Sequence, residues 1–382
     1  MKIYGYLADQ GLRAVFLLGA AYFLLLSLSN IAWLRLSSRR PRITRGRMVS
    51  VLVPARNEEK NLRACLDSLL DQSYSRYEII VMDDQSTDAT WQIADEYARQ
   101  FSAKVRAVKG EELCEGWFGK THAMQQLSRY ARGEYLLFTD ADTVHGPQSV
   151  AWAVTNMEAH RVDCVSGYVF QEINTIGERF IVPATYIMSA MVLPLWLITA
   201  LPAPGLSFAV GQMILFRRSA FEAIGGYERV RGTISDDLAI ARELKKSGFR
   251  EVFLDIRRHV RCRMYDGYRA SFSGVAKNIY DLARHRSVFF AAAVTLLVTF
   301  VVLPLVLLPI QILTGNPSAA GTLLCVGTFL LAWALVLYDR GLSWWTPFLY
   351  PVLFIHLLSM AWWGLGRAVT GHGVQWKGRT LR

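Results

Sequence analysis

Three groups of carboxylates follow one another along the chain: Asp83-Asp84, Asp140-Ala141-Asp142 and Ser235-Asp236-Asp237. The first two close apolar runs, Tyr77 to Met82 and Tyr135 to Thr139, and the third opens a helix-like segment. Two carboxylates one residue apart in a tight turn after a strand can hold a hard cation whose remaining positions take phosphate oxygens. Such a cation acts as a Lewis acid on a departing diphosphate. A carboxylate such as Asp237, placed beside an attacking hydroxyl, is suited to take its proton. Each group also has a plainer reading. Acids at strand ends cap helices or sit in solvated turns, and Ser235 followed by two acids is a good helix start. The Asp-Ala-Asp tripeptide by itself divides evenly between a metal turn and a capped turn. Order and context weigh toward chemistry, because ligands in open α/β sheets bind beyond the carboxyl ends of the strands.

The elements that must position these acids are legible upstream of them. Met48 to Pro54 reads as an apolar strand, and Ala55-Arg56-Asn57-Glu58-Glu59 turns into a helix with Leu62, Cys65, Leu66, Leu69 and Leu70 at helical spacing. A second strand runs to Asp83-Asp84, and Gln85 to Thr90 leads into another helix. This alternation predicts a parallel sheet with right-handed crossovers. The layout is nucleotide-binding in kind, yet it has neither a G-x-G-x-x-G fingerprint nor a P-loop. A diphosphate bound here must be neutralised in another way, which points to Asp140 and Asp142.

Composition divides the 382 residues into three parts. From Val15 to Leu34 the chain is uncharged and mostly apolar, long enough to cross a hydrocarbon layer of roughly 30 Å as a helix. No small-residue cleavage site follows, so the segment reads as a retained anchor. Arg35, Arg39, Arg40, Arg42, Arg45 and Arg47 come next, and by the positive-inside rule they place the following domain on the cytoplasmic side. Val288–Leu313, Ala319–Tyr338 and Trp345–Gly366 are three further apolar segments, the first with Pro304 and Pro309 as expected kinks. The domains are therefore residues 1–47, an anchor and basic linker; 48–287, the catalytic domain; and 288–382, a membrane bundle with a basic tail. Within the second, the Pro-broken apolar stretch 181–216 is expected to lie in the membrane interface, since a crossing there would separate Asp142 from Asp237. Four crossings put the tail with Arg367, Lys377, Arg379 and Arg382 outside, against the charge rule, unless one late segment is re-entrant. The net charge of +11 fits an anionic membrane surface and an anionic substrate. No recognition helix or basic-aromatic repeat suggests nucleic acid. Cys65, Cys114, Cys164, Cys262 and Cys325 show neither paired spacing nor a zinc pattern, as in a reducing compartment.

Taken as a series, Val51 to Glu58, Asp83 to Asp88, Gly119-Lys120 and Asp140-Ala141-Asp142 resemble the membrane-bound family 2 glycosyltransferases of the GT-A fold, over about residues 48–280. The resemblance implies an α/β nucleotide-sugar-binding domain with a mostly parallel sheet, flanked by one N-terminal and about three C-terminal transmembrane helices. It implies that Glu58 and Asp84, with Ala55 and Asp83 beside them, contact the nucleoside. Lys120, Asp140 and Asp236 join them in binding the nucleotide-sugar, and Asp140 and Asp142 hold Mg²⁺ or Mn²⁺ against its diphosphate. Asp237 is then the catalytic base, in a Ser-Asp-Asp form of the family's acidic acceptor-side motif.

Gly116-Trp117-Phe118-Gly119-Lys120, Arg263-Met264-Tyr265 with Lys277-Asn278, and Trp376-Lys377-Gly378-Arg379 are similar to bacterial transferases that glycosylate carotenoids and to a hopanoid-associated relative. The Gln-x-x-Arg-Trp motif of processive and ceramide-type members is absent, and Tyr268 to Lys277 stands in that stretch. These matches imply inverting transfer of one hexose, from UDP-glucose, to an apolar carotenoid or hopanoid-like lipid at the bacterial inner membrane. A polyprenyl-phosphate or glycerolipid acceptor is the alternative within enzymes, and a non-catalytic nucleotide sensor the alternative outside them. Arg261, Arg263 and Lys277 are candidate diphosphate partners or simple membrane-surface charges. His259 is a candidate further metal ligand, and Trp117 either lids the sugar or is buried in its loop.

Overall fold

The structure, a computed structural model, describes residues 2–285, 287–370, 373–376 and 379–381. Lys377, Gly378 and Arg382 of the basic tail lie outside the described residues. A seven-stranded sheet forms the centre, with strands β1 (Val49–Ala55), β2 (Tyr77–Asp83), β3 (Val105–Lys109), β4 (Tyr135–Thr139), β6 (Cys164–Tyr168), β8 (Met213–Arg217) and β9 (Glu251–Asp255) in the order β3-β2-β1-β4-β8-β6-β9. Strands β3, β2, β1 and β4 run parallel, as do β6 and β9, and only β8 runs against its neighbours. β2 and β4 are buried along their whole length. Helices cover both faces, which is why these strands read as continuous apolar runs rather than alternating ones.

Register brings the first acids together. Ala55 pairs with Asp83, so β1 and β2 end side by side. Their following loops brace each other: Arg56 donates to the Asp84 carbonyl at 2.6 Å, and Thr87 N donates to Asn57 Oδ1 at 2.9 Å. Asn57 and Gln85 hold left-handed backbone at φ 54° and 58°, a region in which Asn is enriched.

A second, three-stranded sheet joins β5 (Thr143–His145), β10 (Val260–Cys262) and β7 (Phe170–Gln171). Between β4 and β5 lies the Asp140-Ala141-Asp142 turn, fixed by a buried polar network. Thr143 Oγ1 donates to the Asp140 carbonyl at 2.7 Å, and Thr139 Oγ1 donates to the Gln212 carbonyl at 2.8 Å. His145 Nε2 lies 2.9 Å from Thr139 Oγ1, and its Nδ1 lies 3.0 Å from Ser149 Oγ. Burial pushes the His145 pKa down to about 3. The ring is therefore neutral and can donate from one nitrogen while accepting at the other.

Four helices are long and apolar enough to cross a membrane: Arg13–Ser37, Phe290–Leu313, Ala319–Asp339 and Thr346–Arg367. One is N-terminal and three are C-terminal, as expected. A π-helical turn, Val298–Val302, directly precedes Pro304 in the second. Of the 181–216 stretch, Met213–Phe216 belongs to β8, while Ile187, Ala190, Met191, Leu195 and Ile198 are buried with Phe23, Leu34, Phe329 and Trp333 of these apolar helices. Asn30 fastens this packing: its Nδ2 donates to the carbonyls of Ala190 at 2.9 Å and Leu193 at 2.8 Å, and its Oδ1 accepts from Leu195 N at 2.8 Å. At the sheet edge Asp339 binds Arg35 at 2.7 Å and Arg257 at 3.3 Å, and Arg257 also binds Asp255 at the end of β9 at 2.6 Å.

Replacing Asn30 with Leu takes a partner from three backbone groups, the buried Ala190 carbonyl and Leu195 N–H and the half-buried Leu193 carbonyl, at about 1–3 kcal/mol for each buried one. We expect a lower thermal unfolding midpoint in detergent, and an unchanged midpoint would show that the polar lock is dispensable. Thr143→Val removes the donor to Asp140 while keeping its shape. The same thermal measurement should show a loss that Thr143→Ser restores.

Candidate active site

Ala55, Glu58, Asp83 and Asp84 lie where the sequence places them, at the carboxyl ends of β1 and β2. Asp84 N donates to the Ala55 carbonyl at 2.8 Å, and Ser86 N donates to Asp83 Oδ1 at 3.3 Å. Glu58 is buried, with its N–H on Thr90 Oγ1 at 2.8 Å and Asn61 Nδ2 donating to its Oε2 at 2.8 Å. Parallel register thus sets one row of carboxylates along the carboxyl edge of the sheet, where ligands of open α/β sheets bind.

The second group forms around Gly211, in the turn that leads into β8. Lys120, in the first turn of the Gly119–Tyr130 helix, places Nζ 2.7 Å from Asp140 Oδ1. Asp237, in the first turn of the Asp236–Lys246 helix, accepts from Gly211 N at 3.0 Å and from Leu238 N at 2.7 Å. A Cβ at position 211 would stand 3.2 Å from Lys120 Nζ and 3.6 Å from Asp237 Oδ2. A side chain at position 211 would crowd the space in which Lys120 and Asp237 meet the turn. Asp236 is buried beside them.

Electrostatics follow from this crowding. Burial raises the pKa of Asp236 and Asp237, with the ammonium of Lys120 opposing. Burial alone would lower Lys120, but Asp140 above all, then Asp236 and Asp237, hold its pKa above the ordinary lysine value. Lys277, on the Gly267–His285 helix, is brought down to about 8 by burial and by Lys120.

Cys262 donates its thiol to Asp142 Oδ1 at 3.5 Å. Among the described residues no group of three or more His, Cys, Asp or Glu side chains is placed to hold a metal. Two carboxylates without further protein ligands suit Mg²⁺ or Mn²⁺, which commonly keep one or two carboxylates and complete their shell with substrate phosphates and water. Asp140 and Asp142 therefore fit an ion shared with a diphosphate, not a closed structural site.

Other candidates are occupied elsewhere. Arg261 pairs with Glu172 at 3.4 Å, and Arg263 with Glu178 at 3.1 Å and Asp266 at 2.9 Å. The His259 ring packs against Trp152, with centroids 6.3 Å apart, and joins no metal-binding cluster. Trp117 packs on His122 at 5.4 Å. Gly211 has one signal in the sequence, a glycine inside an otherwise apolar run just before a strand.

The profile of "Glycosyl transferase family 2" matches residues 50–225. EpsE of Bacillus subtilis (strain 168), which carries the name glycosyltransferase, is 30% identical over 211 residues, covering 54% of this chain and 69% of EpsE. The 4,4'-diaponeurosporenoate glycosyltransferase of Staphylococcus haemolyticus (strain JCSC1435) is 27% identical over 241 residues, 60% of each chain. The solved mannosyltransferase PcManGT of Pyrobaculum calidifontis, in complex with GDP-Man and Mn²⁺, superposes with a TM-score of 0.59 at 22% identity, over 94% of this chain and 99% of that one. With the sheet order and the row of carboxylates at its carboxyl edge, these likenesses establish that the chain belongs to glycosyl transferase family 2 and has the α/β GT-A fold.

Proposed function

We propose that the enzyme transfers a single hexose from a nucleoside-diphosphate sugar, UDP-glucose in the first instance, to a membrane lipid of carotenoid or hopanoid-like kind. The approach of Lys120 and Asp237 to Gly211, with Asp140 held by Lys120, carries this reading, because it sets donor-side and acceptor-side groups around one backbone turn. Ala55, Glu58, Asp83 and Asp84 receive the nucleoside. Mg²⁺ or Mn²⁺ at Asp140 and Asp142 would supply Lewis-acid charge to the diphosphate leaving group. Lys120 offsets the negative charge that Asp140, Asp236 and Asp237 concentrate there.

Asp237 is oriented by two backbone donors, and its raised pKa makes it a better proton acceptor than a solvated aspartate. It takes the proton of the attacking lipid hydroxyl as that oxygen bonds to the anomeric carbon. On the opposite side the bond from anomeric carbon to diphosphate oxygen breaks, and its electron pair leaves with UDP. One displacement inverts the anomeric centre. The apolar helices support a multi-pass protein of the bacterial cell membrane, and the arginines after the first support a cytoplasmic catalytic domain. The named diaponeurosporenoate relative and the GDP-Man and Mn²⁺ in the PcManGT complex support the acceptor class and the donor and metal classes.

Release of UDP from UDP-glucose, followed on detergent-purified protein with Mn²⁺ and a bacterial lipid extract, tests this. Asp142→Ala and Asp237→Asn should each lower lipid-stimulated release by roughly 10²–10⁴-fold. Full release by Asp237→Asn would remove the base from the mechanism. A base must be ionised, so release should fall as pH drops through the Asp237 pKa. That limb is expected above the ordinary aspartate value of about 4. A profile flat down to that value would contradict the role.

A further inference from the structure

We propose that the helix Tyr350–Thr370, although apolar and long enough to cross a membrane, lies along the bilayer surface on the side of the catalytic domain, with its outward stripe among the acyl chains of that one leaflet. Its 21 residues span about 30 Å, the thickness of a hydrocarbon layer, so length leaves both placements open. The positions of its ends decide between them. Just before its start, a Cβ at Gly341 would stand 3.5 Å from Phe170 of β7, and the Arg179 guanidinium lies 5.2 Å from the centre of the Trp345 ring. Midway, His356 stacks on Phe180 at 6.1 Å, and Met360 is buried with Ile181, Tyr265 and Ala276. Near its end, Trp363 and Phe118 pack against the buried pair Ile234 and Tyr280, and a Cβ at Gly364 would stand 3.1 Å from Tyr280 N. Phe118 directly precedes Gly119-Lys120, and Ile234 directly precedes Ser235-Asp236. Tyr280 belongs to the Gly267–His285 helix, which carries Arg269, Lys277 and Asp281 and is held to Ser235 N through Asp281 at 3.3 Å, so it offers no path into the hydrocarbon. Beginning, middle and end of Tyr350–Thr370 thus all rest on the catalytic domain. A crossing would carry its last turns about 30 Å away from that domain.

The other three apolar helices set the sidedness. Arg35, at the end of the first, pairs with Asp339, at the end of the third, so these two ends share the catalytic side. Their opposite ends meet on the other side, where Arg13 donates to Ser318 Oγ at 2.6 Å. The chain leaves the catalytic side with Phe290–Leu313 and returns to it with Ala319–Asp339. With three crossings, the loop on the far side, Thr314 to Ser318, carries no charge, and Arg367, Lys377, Arg379 and Arg382 join Arg35 to Arg47 on the catalytic side. The charge rule that four crossings break is then kept. Val352, Ile355, Ser359, Trp362, Leu365 and Val369 form an exposed stripe along the helix, while Leu353, Phe354 and Met360 are buried on its other side. So long an apolar stripe marks a membrane or protein contact. Its continuity with the crossing helices selects lipid, and a helix covered by protein on its inner side satisfies the stripe by sinking about 5–10 Å into the boundary of head groups and acyl chains. Trp344, exposed just ahead of the helix, is an aromatic of the kind that sits at head-group level. In this placement the helix holds the catalytic site at the depth of the lipid head groups.

The test uses the full-length protein in bacterial membranes and a membrane-impermeant maleimide, applied to intact spheroplasts and to inverted vesicles. Cys114 is exposed and the other four cysteines are buried, so wild type reports the catalytic side and Cys114→Ser gives a silent background. In that background Thr370→Cys should label from the same side as Cys114, and Asn316→Cys from the opposite side. Depth is a second, independent measurement. Nitroxide labels at Val352→Cys, Ser359→Cys and Val369→Cys, read in phosphatidylglycerol–phosphatidylethanolamine vesicles by their relaxation with oxygen and with a water-soluble nickel chelate, should all lie within about 5–10 Å of the phosphate level. A crossing helix would instead place Ser359 roughly 15 Å down, near the bilayer centre. Labelling of Thr370→Cys from the Asn316 side, or a central depth for Ser359, would overturn the proposal. Shielding of Ser359 from both relaxants would show protein or a second copy over the stripe and would overturn it as well. None of these outcomes bears on the transfer chemistry, which UDP release reports separately.

Discussion

Several carboxylates and a diphosphate cannot crowd together unless positive charge enters with them, and the half-buried ion pair between Lys120 and Asp140 is where this structure meets that constraint. Everything around it is arranged to keep the charges close without collapse. The helix bearing Lys120 starts beside the end of β4, the turn before β8 contributes a glycine with no side chain in the way, and that glycine's N–H fixes Asp237. The polar network of Thr139, Thr143 and His145 lies beneath the turn and holds the Asp140 carbonyl in place. With these partners the acids form a site; without them they would be mutually repelling groups at a sheet edge.

The long apolar helices extend the same arrangement. The N-terminal helix is locked through Asn30 to the segment that leads into β8, and Asp339 ties the C-terminal bundle to β9 through Arg257. The last membrane helix packs against the helix that reaches Ser235 through Asp281. Both ends of the chain therefore reach the sheet through specific polar contacts.

Much of the site at the ends of β1, β2 and β4 was legible because a parallel strand covered on both faces is a continuous apolar run, and these strands are such runs, β2 ending in Asp83 and β4 running into Asp140. The surroundings of Asp237 were harder to see. β8 lies within the apolar stretch 181–216 with no turn signal strong enough to separate it, so a central strand was merged with residues that pack on membrane helices. Gly211 matters only through the two side chains that converge on it, and such convergence leaves no local trace in sequence. Arg261 and Arg263 read as cations open to a diphosphate because their partners Glu172 and Glu178 are far away along the chain.

The most direct measurement is an anomalous difference map from crystals grown with Mn²⁺ and a nucleoside diphosphate. A peak between Asp140, Asp142 and the diphosphate, with the nucleoside over the ends of β1 and β2 and with Asp237 facing the open side of the site, is the predicted result. Nucleotide bound away from the carboxyl edge of the sheet, or Mn²⁺ bound to residues other than these two acids, would contradict it.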